Sequence, residues 1–341
     1  MSLASHMQDT INCLVDGRRG ILAADESSGT IAKRFAGVGL ESTEEGRRTY
    51  RTLLLSTEGL GDYIAGVILF EETLGQKDNN GVTVPELATA QGIVPGIKVD
   101  KGKGPLPGAS GDMITYGLDG LAERLEGYKA QGARFAKWRE VYPITPHNPT
   151  ALGLEANAEM LARYAAVCQS VGLVPIVEPE VLIDGDHSMA RSAEVNENVW
   201  HSVFHALHKH GVVLEHMLLK PSMVTPGKDA TQAPPDQVAE ETIRILRRAV
   251  PAAVPSINFL SGGQSPEEAT ANLNALNQLR DKAPWQLSFS FARALQEPTL
   301  KAWSGKAENL AAAQSVFLER ARLNHLAMLG EYRTELENEV T

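Results

Sequence analysis

Short apolar runs recur along the chain, and each is closed by a charged or small polar residue. Eight of them have the length of a β-strand, at positions 20–25, 63–70, 93–99, 133–139, 173–180, 214–220, 256–263 and 286–290. A short apolar run between turn residues is typical of a strand that is buried on both faces. The strand ends lie roughly 30 to 45 residues apart, which leaves room for a helix in each connection.

Eight alternations of strand and helix predict an α/β fold, a parallel (β/α)8 or TIM barrel, because parallel strands need long crossovers. We expect a single domain over residues 1–341, with an N-terminal helix and a C-terminal helical extension from about Lys306 to Leu336. Three segments are typical of helix-capping sequences: Ser5–Gln8, Ser42–Glu45 and Ser265–Glu268. Residues 100–117, rich in Gly and Pro without an apolar period, predict a long surface loop.

The composition of the chain excludes several classes of function. With 43% hydrophobic residues in 341, the chain can bury a large core. The net charge of −10 leaves no basic stripe, so we expect neither nucleic acid nor an anionic membrane as a partner. We find no membrane-spanning run and no signal sequence, which predicts a cytoplasmic protein. Cys13 and Cys168 stand alone in helical apolar patterns and read as reduced core residues.

Charged residues stand where several of the predicted strands end. Lys220 closes the sixth run, and Pro221 then ends the strand ladder by removing a donor. A lysine at this position is either a snorkelling surface residue or a desolvated amine. Because the carboxyl ends of barrel strands meet at one mouth, we expect a larger set to converge there. That set is Asp25, Lys98, Lys137, Glu178, Lys220, Ser261 and Arg293.

This set favours imine chemistry. Clustered ammonium groups disfavour one another's charge, so we expect at least one lysine of the cluster to have a lowered pKa, while nearby carboxylates stay ionised or share protons. Imine formation needs a neutral amine, an acid to expel water and a base, which Lys220, Glu178 and Asp25 supply. Ser261-Gly262-Gly263 beside Arg293 suits a phosphate, although an ordinary tight turn is an equal reading of these residues.

The chain resembles the class I, Schiff-base fructose-1,6-bisphosphate aldolases over nearly its whole length. The motifs that carry the resemblance are GILAADESSGTIAKRF (20–35), GIKVDKG (96–102), FAKWR (135–139), VPIVEPEV (174–181), DGDH (184–187), LLKPSMVTPG (218–227), FLSGGQSP (259–266) and FSFARALQ (289–296). The resemblance implies reversible cleavage of fructose 1,6-bisphosphate to dihydroxyacetone phosphate and glyceraldehyde 3-phosphate. It also implies a sugar phosphate substrate, a homotetramer, and no metal or other cofactor.

The resemblance assigns roles residue by residue. Lys220 resembles the imine-forming lysine and Glu178 the acid/base for carbinolamine chemistry. If Glu178 does not hold this role, Glu180 or Asp25 is the alternative. Lys137 resembles the neighbouring ammonium, and Asp25 the carboxylate at the C4 hydroxyl. Two groups of substrate-binding residues follow from the same motifs. Those around the C1-phosphate are Ser261, Gly262, Gly263 and Arg293, and those around the C6-phosphate are Thr30, Arg34, Lys98 and Arg139. Ser290 is a further expected substrate-binding residue.

The sequence departs from the family's pattern in three places. Glu71 stands where animal members commonly carry histidine, and Ala292 replaces a glycine. The given sequence ends at Thr341 without the family's C-terminal tyrosine, which puts tail-assisted proton transfer in doubt. Tyr332 is the nearest phenol, and we expect it to pack structurally in a helix rather than reach the mouth.

Two other functions are open to such a chain. A metal-dependent aldolase is suggested by His201, His205 and His208, which have ligand-like helical spacing, but the apolar residues of that helix place these histidines on its solvated side. A non-catalytic scaffold on an enzyme fold would require the set Lys220, Glu178 and Lys137 to be broken, and all three are present.

Overall fold

The computed structural model describes residues 2–339 and contains a closed barrel of eight parallel strands. Each strand pairs with the next along the chain, and the last pairs with the first, with Ile21 opposite Ser290. The (β/α)8 prediction is therefore confirmed. The strands are β1 Gly20–Ala24, β2 Ile64–Leu69, β3 Val94–Lys98, β4 Phe135–Tyr142, β5 Val174–Val181, β6 Leu218–Leu219, β7 Ser256–Phe259 and β8 Gln286–Phe291.

Helices fill the connections and surround the barrel. They are α1 Leu3–Leu14, α2 Ser28–Ala36, α3 Glu44–Leu55, α4 Glu71–Leu74, α5 Val84–Ala90, α6 Leu121–Ala130, α7 Ala151–Ser170, α8 Met189–Lys209, α9 Pro235–Ala249, α10 Pro266–Gln278, α11 Arg293–Trp303 and α12 Leu310–Leu329. The predicted capping box at Ser265 is confirmed at the start of α10. Across residues 2–339, none of these helices combines the length and the apolarity that a membrane span requires.

The first helix begins earlier than predicted. Ser2, not Ser5, caps α1 by accepting a hydrogen bond from the Ser5 amide. Its buried residues Met7, Ile11 and Leu14 pack against residues of the barrel interior. Close approach is possible there because Gly66 has no side chain: a Cβ at that position would lie 2.6 Å from Leu14 Cδ2. The helix therefore closes the amino end of the barrel, which leaves the carboxyl end as the open mouth.

The sixth strand is shorter than the predicted run at 214–220. Residues Leu214–His216 form a 3₁₀ turn. Leu218 and Leu219 pair with β5, and Leu219 also pairs with β7. The prediction was wrong because a run of apolar character does not reveal which of its residues meet a partner strand. Lys220 nevertheless follows the strand directly, and its amide donates to the Val177 carbonyl.

Residues 100–117 are not a structureless loop. Lys103–Pro105 pairs antiparallel with Met113–Thr115 to form a hairpin, which corrects the prediction. The hairpin is held by tertiary contacts that leave no apolar period in the sequence. Thr115 donates its amide to Glu140 Oε2 at 3.1 Å, and Trp138 Nε1 donates to Oε1 of the same carboxylate at 2.8 Å.

The C-terminal helical extension is interrupted. A 3₁₀ turn at Ala307–Asn309 precedes α12, and α12 ends at Gly330, whose φ is 75°. The predicted helix to Leu336 was wrong because glycine in the left-handed region stops a helix. Tyr332 therefore lies after the helix, where it is buried and donates its hydroxyl to Glu337 Oε1 at 2.8 Å. The chain terminus at Val340 and Thr341 lies outside the described residues.

Glu140 generates a prediction of pH-dependent stability. Burial raises the pKa of Glu140 from 4.5 to about 7 despite its hydrogen bonds from Trp138 and Thr115. Between these values the folded chain holds a proton that the unfolded chain releases, so stability falls as pH rises. We expect the unfolding free energy to drop by about 3 kcal/mol between pH 4.5 and 7.5 relative to Glu140→Gln.

Denaturant titrations of the two proteins at several pH values measure this difference. The Gln variant supplies the control, because its side chain has no proton to exchange. A difference between the two proteins that stays constant across the pH range would contradict the prediction.

Candidate active site

A cavity of about 200 Å³ opens at the carboxyl ends of the strands. Every residue that the sequence analysis assigned to the site lines this cavity. They are Thr30 and Arg34 on α2, Asp25, Lys98, Lys137, Arg139, Glu178, Glu180, Lys220 and Ser290 in or directly after barrel strands, Ser261, Gly262 and Gly263 in the turn that follows β7, and Arg293 at the start of α11.

Four buried charges form a chain across the floor of the cavity. Lys220 Nζ lies 3.3 Å from Glu178 Oε1, and the other oxygen of Glu178 lies 3.0 Å from Lys137 Nζ. Lys137 Nζ lies 2.7 Å from Asp25 Oδ2. All four residues are buried. Lys220 is thus a desolvated amine rather than a snorkelling surface residue, and one carboxylate separates it from a second ammonium.

The charges in this chain stabilise one another. Burial alone would raise the pKa of Asp25, but Lys137, Lys220 and Lys98 outweigh it and hold the pKa well below its ordinary value. Burial is likewise outweighed at Glu178, whose pKa is lowered by Lys137 and Lys220. The carboxylates therefore stay ionised, as expected. The lowered lysine pKa is not found at Lys137, because Asp25 and Glu178 overcome burial and raise its pKa.

Further cations stand around the rim of the cavity. Arg139 donates to Glu180 Oε2 at 2.8 Å, and Arg34 pairs with Glu26. Lys98 Nζ lies 5.1 Å from the centre of the Phe70 ring, a cation–π distance. Within residues 2–339, neither Lys98 nor Arg293 forms an ion pair. These two side chains therefore retain their full donor capacity for an anion.

The turn after β7 has the backbone of an anion-binding nest. Gly262 and Gly263 have φ of 46° and 90°, a region that other residues rarely adopt. A Cβ at Gly263 would lie 3.6 Å from an Arg293 guanidinium nitrogen, so the arginine stands directly beside the turn. Arg293 also begins α11, whose N-terminal amides favour negative charge. Nearby, the buried Ser290 hydroxyl has no hydrogen-bond partner in the described part of the chain.

The family model for class-I fructose-bisphosphate aldolases matches residues 6–341. The chain belongs to that family, which is a family of lyases. Among solved structures, a fructose-bisphosphate aldolase from Plasmodium falciparum, crystallised in complex with TRAP and a small-molecule inhibitor, is 50% identical with a TM-score of 0.95. That comparison covers 97% of this chain and 96% of the other.

Plant aldolases are similarly close to this member of the family. Cytosolic fructose-bisphosphate aldolase 6 of Arabidopsis thaliana is 54% identical over 92% of this chain and 88% of its own length. The cytoplasmic isozyme of Spinacia oleracea is 55% identical over the same shares of the two chains. Chloroplastic aldolase 1 of Arabidopsis thaliana is 53% identical over 98% of this chain and 84% of its own length. Relatives from two compartments therefore resemble the chain about equally.

Five further residues line the cavity without having been assigned to the site. They are Glu26, Ser27, Asp100, Leu260 and Ala292. Ser27 belongs to the motif at 20–35, and Ala292 is one of the departures from the family's pattern. Glu26 follows Asp25 directly, and position in the motif was the one signal available. Asp100 directly follows the predicted run at 93–99, so its position after a strand end was the signal that could have found it.

The residues named in the alternatives lie away from the cavity. His201, His205 and His208 are on the exposed face of α8, as predicted. In the described part of the chain, no group of three His, Cys, Asp or Glu side chains is placed to hold a metal ion.

Glu71, one of the departures from the family's pattern, begins α4, where it pairs with Lys101 and accepts a hydrogen bond from the Tyr128 hydroxyl at 2.7 Å. Its contacts are those of a structural residue.

Proposed function

We propose that the chain cleaves fructose 1,6-bisphosphate reversibly through an imine on Lys220. The observation that carries this proposal is the chain of charges from Lys220 through Glu178 and Lys137 to Asp25. An amine and two carboxylates therefore lie together on the floor of one cavity. Imine formation requires an amine, an acid and a base.

Lys220 has to lose a proton before it attacks the C2 ketone. Glu178 Oε1, at 3.3 Å, is placed to accept that proton, and it can return it to the carbinolamine hydroxyl so that water leaves. Lys137 supports the cycle because its ammonium, 3.0 Å from the other oxygen, compensates the carboxylate while it is ionised. The product of this step is a protonated imine that can accept an electron pair.

Asp25 is the proposed base of the bond-breaking step. It takes the proton of the C4 hydroxyl, the C3–C4 bond breaks, and glyceraldehyde 3-phosphate leaves. The bonding electrons pass to the imine and form an enamine on Lys220. Lys137 keeps Asp25 ionised, so the carboxylate is free of a proton when the substrate hydroxyl arrives. Protonation of the enamine at C3 and hydrolysis of the imine then release dihydroxyacetone phosphate.

The two phosphates are proposed to bind on different sides of the cavity. The nest at Ser261–Gly263 together with Arg293 suits the C1-phosphate, and the buried Ser290 hydroxyl is available beside them. The side formed by Thr30, Arg34, Lys98 and Arg139 suits the C6-phosphate. Lys98 and Arg293, which form no ion pairs in the described structure, lie on different sides.

Protonation of the enamine is proposed to take place inside the barrel, through Glu178 or water. Tyr332 is held by Glu337 and by a hydrogen bond from its amide to Asn274, so it is anchored.

From the family resemblance we also propose a homotetramer in the cytosol. The cytosolic relatives support that compartment, and sedimentation of the purified protein tests the tetramer.

Replacement of Lys220 should abolish imine chemistry. We expect Lys220→Met to lose both cleavage and the covalent label that substrate plus borohydride leaves on the native protein. Lys228→Met supplies the control, because Lys228 lies exposed on the same segment, paired with Asp184, and outside the cavity. Mass spectrometry of the treated proteins locates the label, and a label on another lysine would transfer the role from Lys220.

Loss of the Glu178 acid should slow the chemistry without weakening binding. Glu178→Gln keeps the shape of the side chain but cannot cycle a proton, so we expect kcat to fall by about 10² to 10⁴ with KM little changed. Single-turnover measurement of imine formation checks this, with Glu180→Gln measured alongside. An effect below tenfold at Glu178 and a larger one at Glu180 would reverse the two assignments.

Distortion of the nest should weaken binding of phosphorylated ketoses. A Cβ at Gly263 would lie 2.6 Å from Ile183 Cδ1, so Gly263→Ala must shift the turn. We expect KM for fructose 1,6-bisphosphate to rise by about tenfold, equivalent to roughly 1.4 kcal/mol of binding. Gly127→Ala on α6, where an added Cβ meets no atom within 4 Å, is the matched control. An equal loss of kcat/KM with unphosphorylated fructose would contradict a phosphate role.

A further inference from the structure

Glu26 is a buried carboxylate at the edge of the cavity to which the proposed reaction gives no role. Its side chain is 4% exposed, and it follows Asp25 at the end of β1. Three side-chain donors converge on it. Arg34 and Gln296 Nε2 bind Oε1, the latter at 2.9 Å, and Arg51 binds Oε2 at 2.5 Å. These donors come from three different helices, α2, α11 and α3.

The two arginines differ in what else they face. The Arg51 side chain is 3% exposed and does not line the cavity, so Glu26 compensates a charge that water cannot reach. The Arg34 side chain is 22% exposed and does line the cavity. Glu26 therefore anchors one end of the Arg34 guanidinium while the remaining donors stay open to a ligand. The two arginines together hold the pKa of Glu26 below its ordinary value against the effect of burial.

Gln296 fixes the carboxylate in turn. Its side-chain amide donates to the Ala23 carbonyl at 2.6 Å as well as to Glu26, and its side-chain oxygen accepts from Arg51 at 3.3 Å. All of these groups are buried, so each contact depends on the others being made. The network leaves Glu26 little freedom, and it fixes where Arg34 stands.

We infer that Glu26 is a positioning residue that holds Arg34 in place for the substrate phosphate farther from the imine. This inference rests on the proposed function, since it assigns Arg34 to that phosphate. A guanidinium fixed before binding loses less conformational freedom when it contacts an anion. Without the carboxylate, Arg34 has to be ordered by the substrate itself, and affinity falls.

The test compares two ketose phosphates that differ in one phosphate group. We expect Glu26→Gln to raise KM for fructose 1,6-bisphosphate about tenfold, the size of one lost charge-assisted contact. KM for fructose 1-phosphate should change less than twofold, because that substrate lacks the phosphate that Arg34 is proposed to bind. A role in general stability alone would move neither KM selectively.

A double-mutant cycle with Arg34→Ala shows whether Glu26 acts through Arg34. If it does, adding Glu26→Gln to Arg34→Ala should change KM for fructose 1,6-bisphosphate by less than twofold. Two full, multiplicative effects would overturn the inference. So would an equal rise of both KM values in the single variant.

Controls separate positioning from folding. Glu337→Gln also removes a carboxylate from a buried arginine, Arg320, but does so away from the cavity, so it should lower Tm with no selective change in KM. If Glu26→Gln does not fold because Arg51 is left uncompensated, the pair Glu26→Gln with Arg51→Met removes both buried charges together. The same selectivity for the bisphosphate is expected from that pair, and its absence would overturn the inference.

The proposed function and this inference fail in different ways. Borohydride labelling of Lys220 with fructose 1-phosphate does not involve Arg34, so it should persist in every Glu26 variant that folds. If Lys220 is labelled but the Glu26 variants show no selective rise in KM for the bisphosphate, only the role of Glu26 is overturned. Absence of labelling in the native protein would overturn the imine mechanism, whatever the KM values.

Discussion

The active site depends on the compensation of charges that are buried together. Lys137 lies between Asp25 and Glu178, at 2.7 and 3.0 Å, and Glu178 also reaches Lys220. Removing one partner of a buried ion pair leaves an uncompensated charge, which typically costs about 3 to 5 kcal/mol. The four residues therefore act as a unit: the contacts that make burial tolerable also hold the amine and its acid/base within reach of each other.

The barrel supplies the geometry that this unit needs. Lys98 is in register with Lys137, and Arg139 is in register with Glu178, so neighbouring strands place charged side chains at the same height. Side chains two residues apart on a strand share a face, which places Arg139 and Glu180 above Lys137 and Glu178. The amino end is closed by α1, so charged residues can reach water only at the mouth.

This regularity explains what could be predicted from the sequence. Lys220, Glu178 and Asp25 could be assigned because each closes an apolar run, and parallel strand ends meet at one place. Features that are set by tertiary contacts could not be predicted from the sequence. The hairpin at 103–115 depends on Glu140, the sixth strand keeps only the residues that find partners, and Glu26 gains its place from Arg51 and Gln296, which are distant in sequence.

The remaining charges around the cavity point to a substrate with two anionic groups. Six cationic and five acidic side chains line it, so most of the charge is compensated within the protein. Lys98 and Arg293, which form no ion pairs in the described structure, lie at β3 and after β8, three strands apart around the barrel. A ligand with one phosphate would satisfy one of them. We propose that a bisphosphate contacts both, and that its length then determines which carbon lies over Lys220.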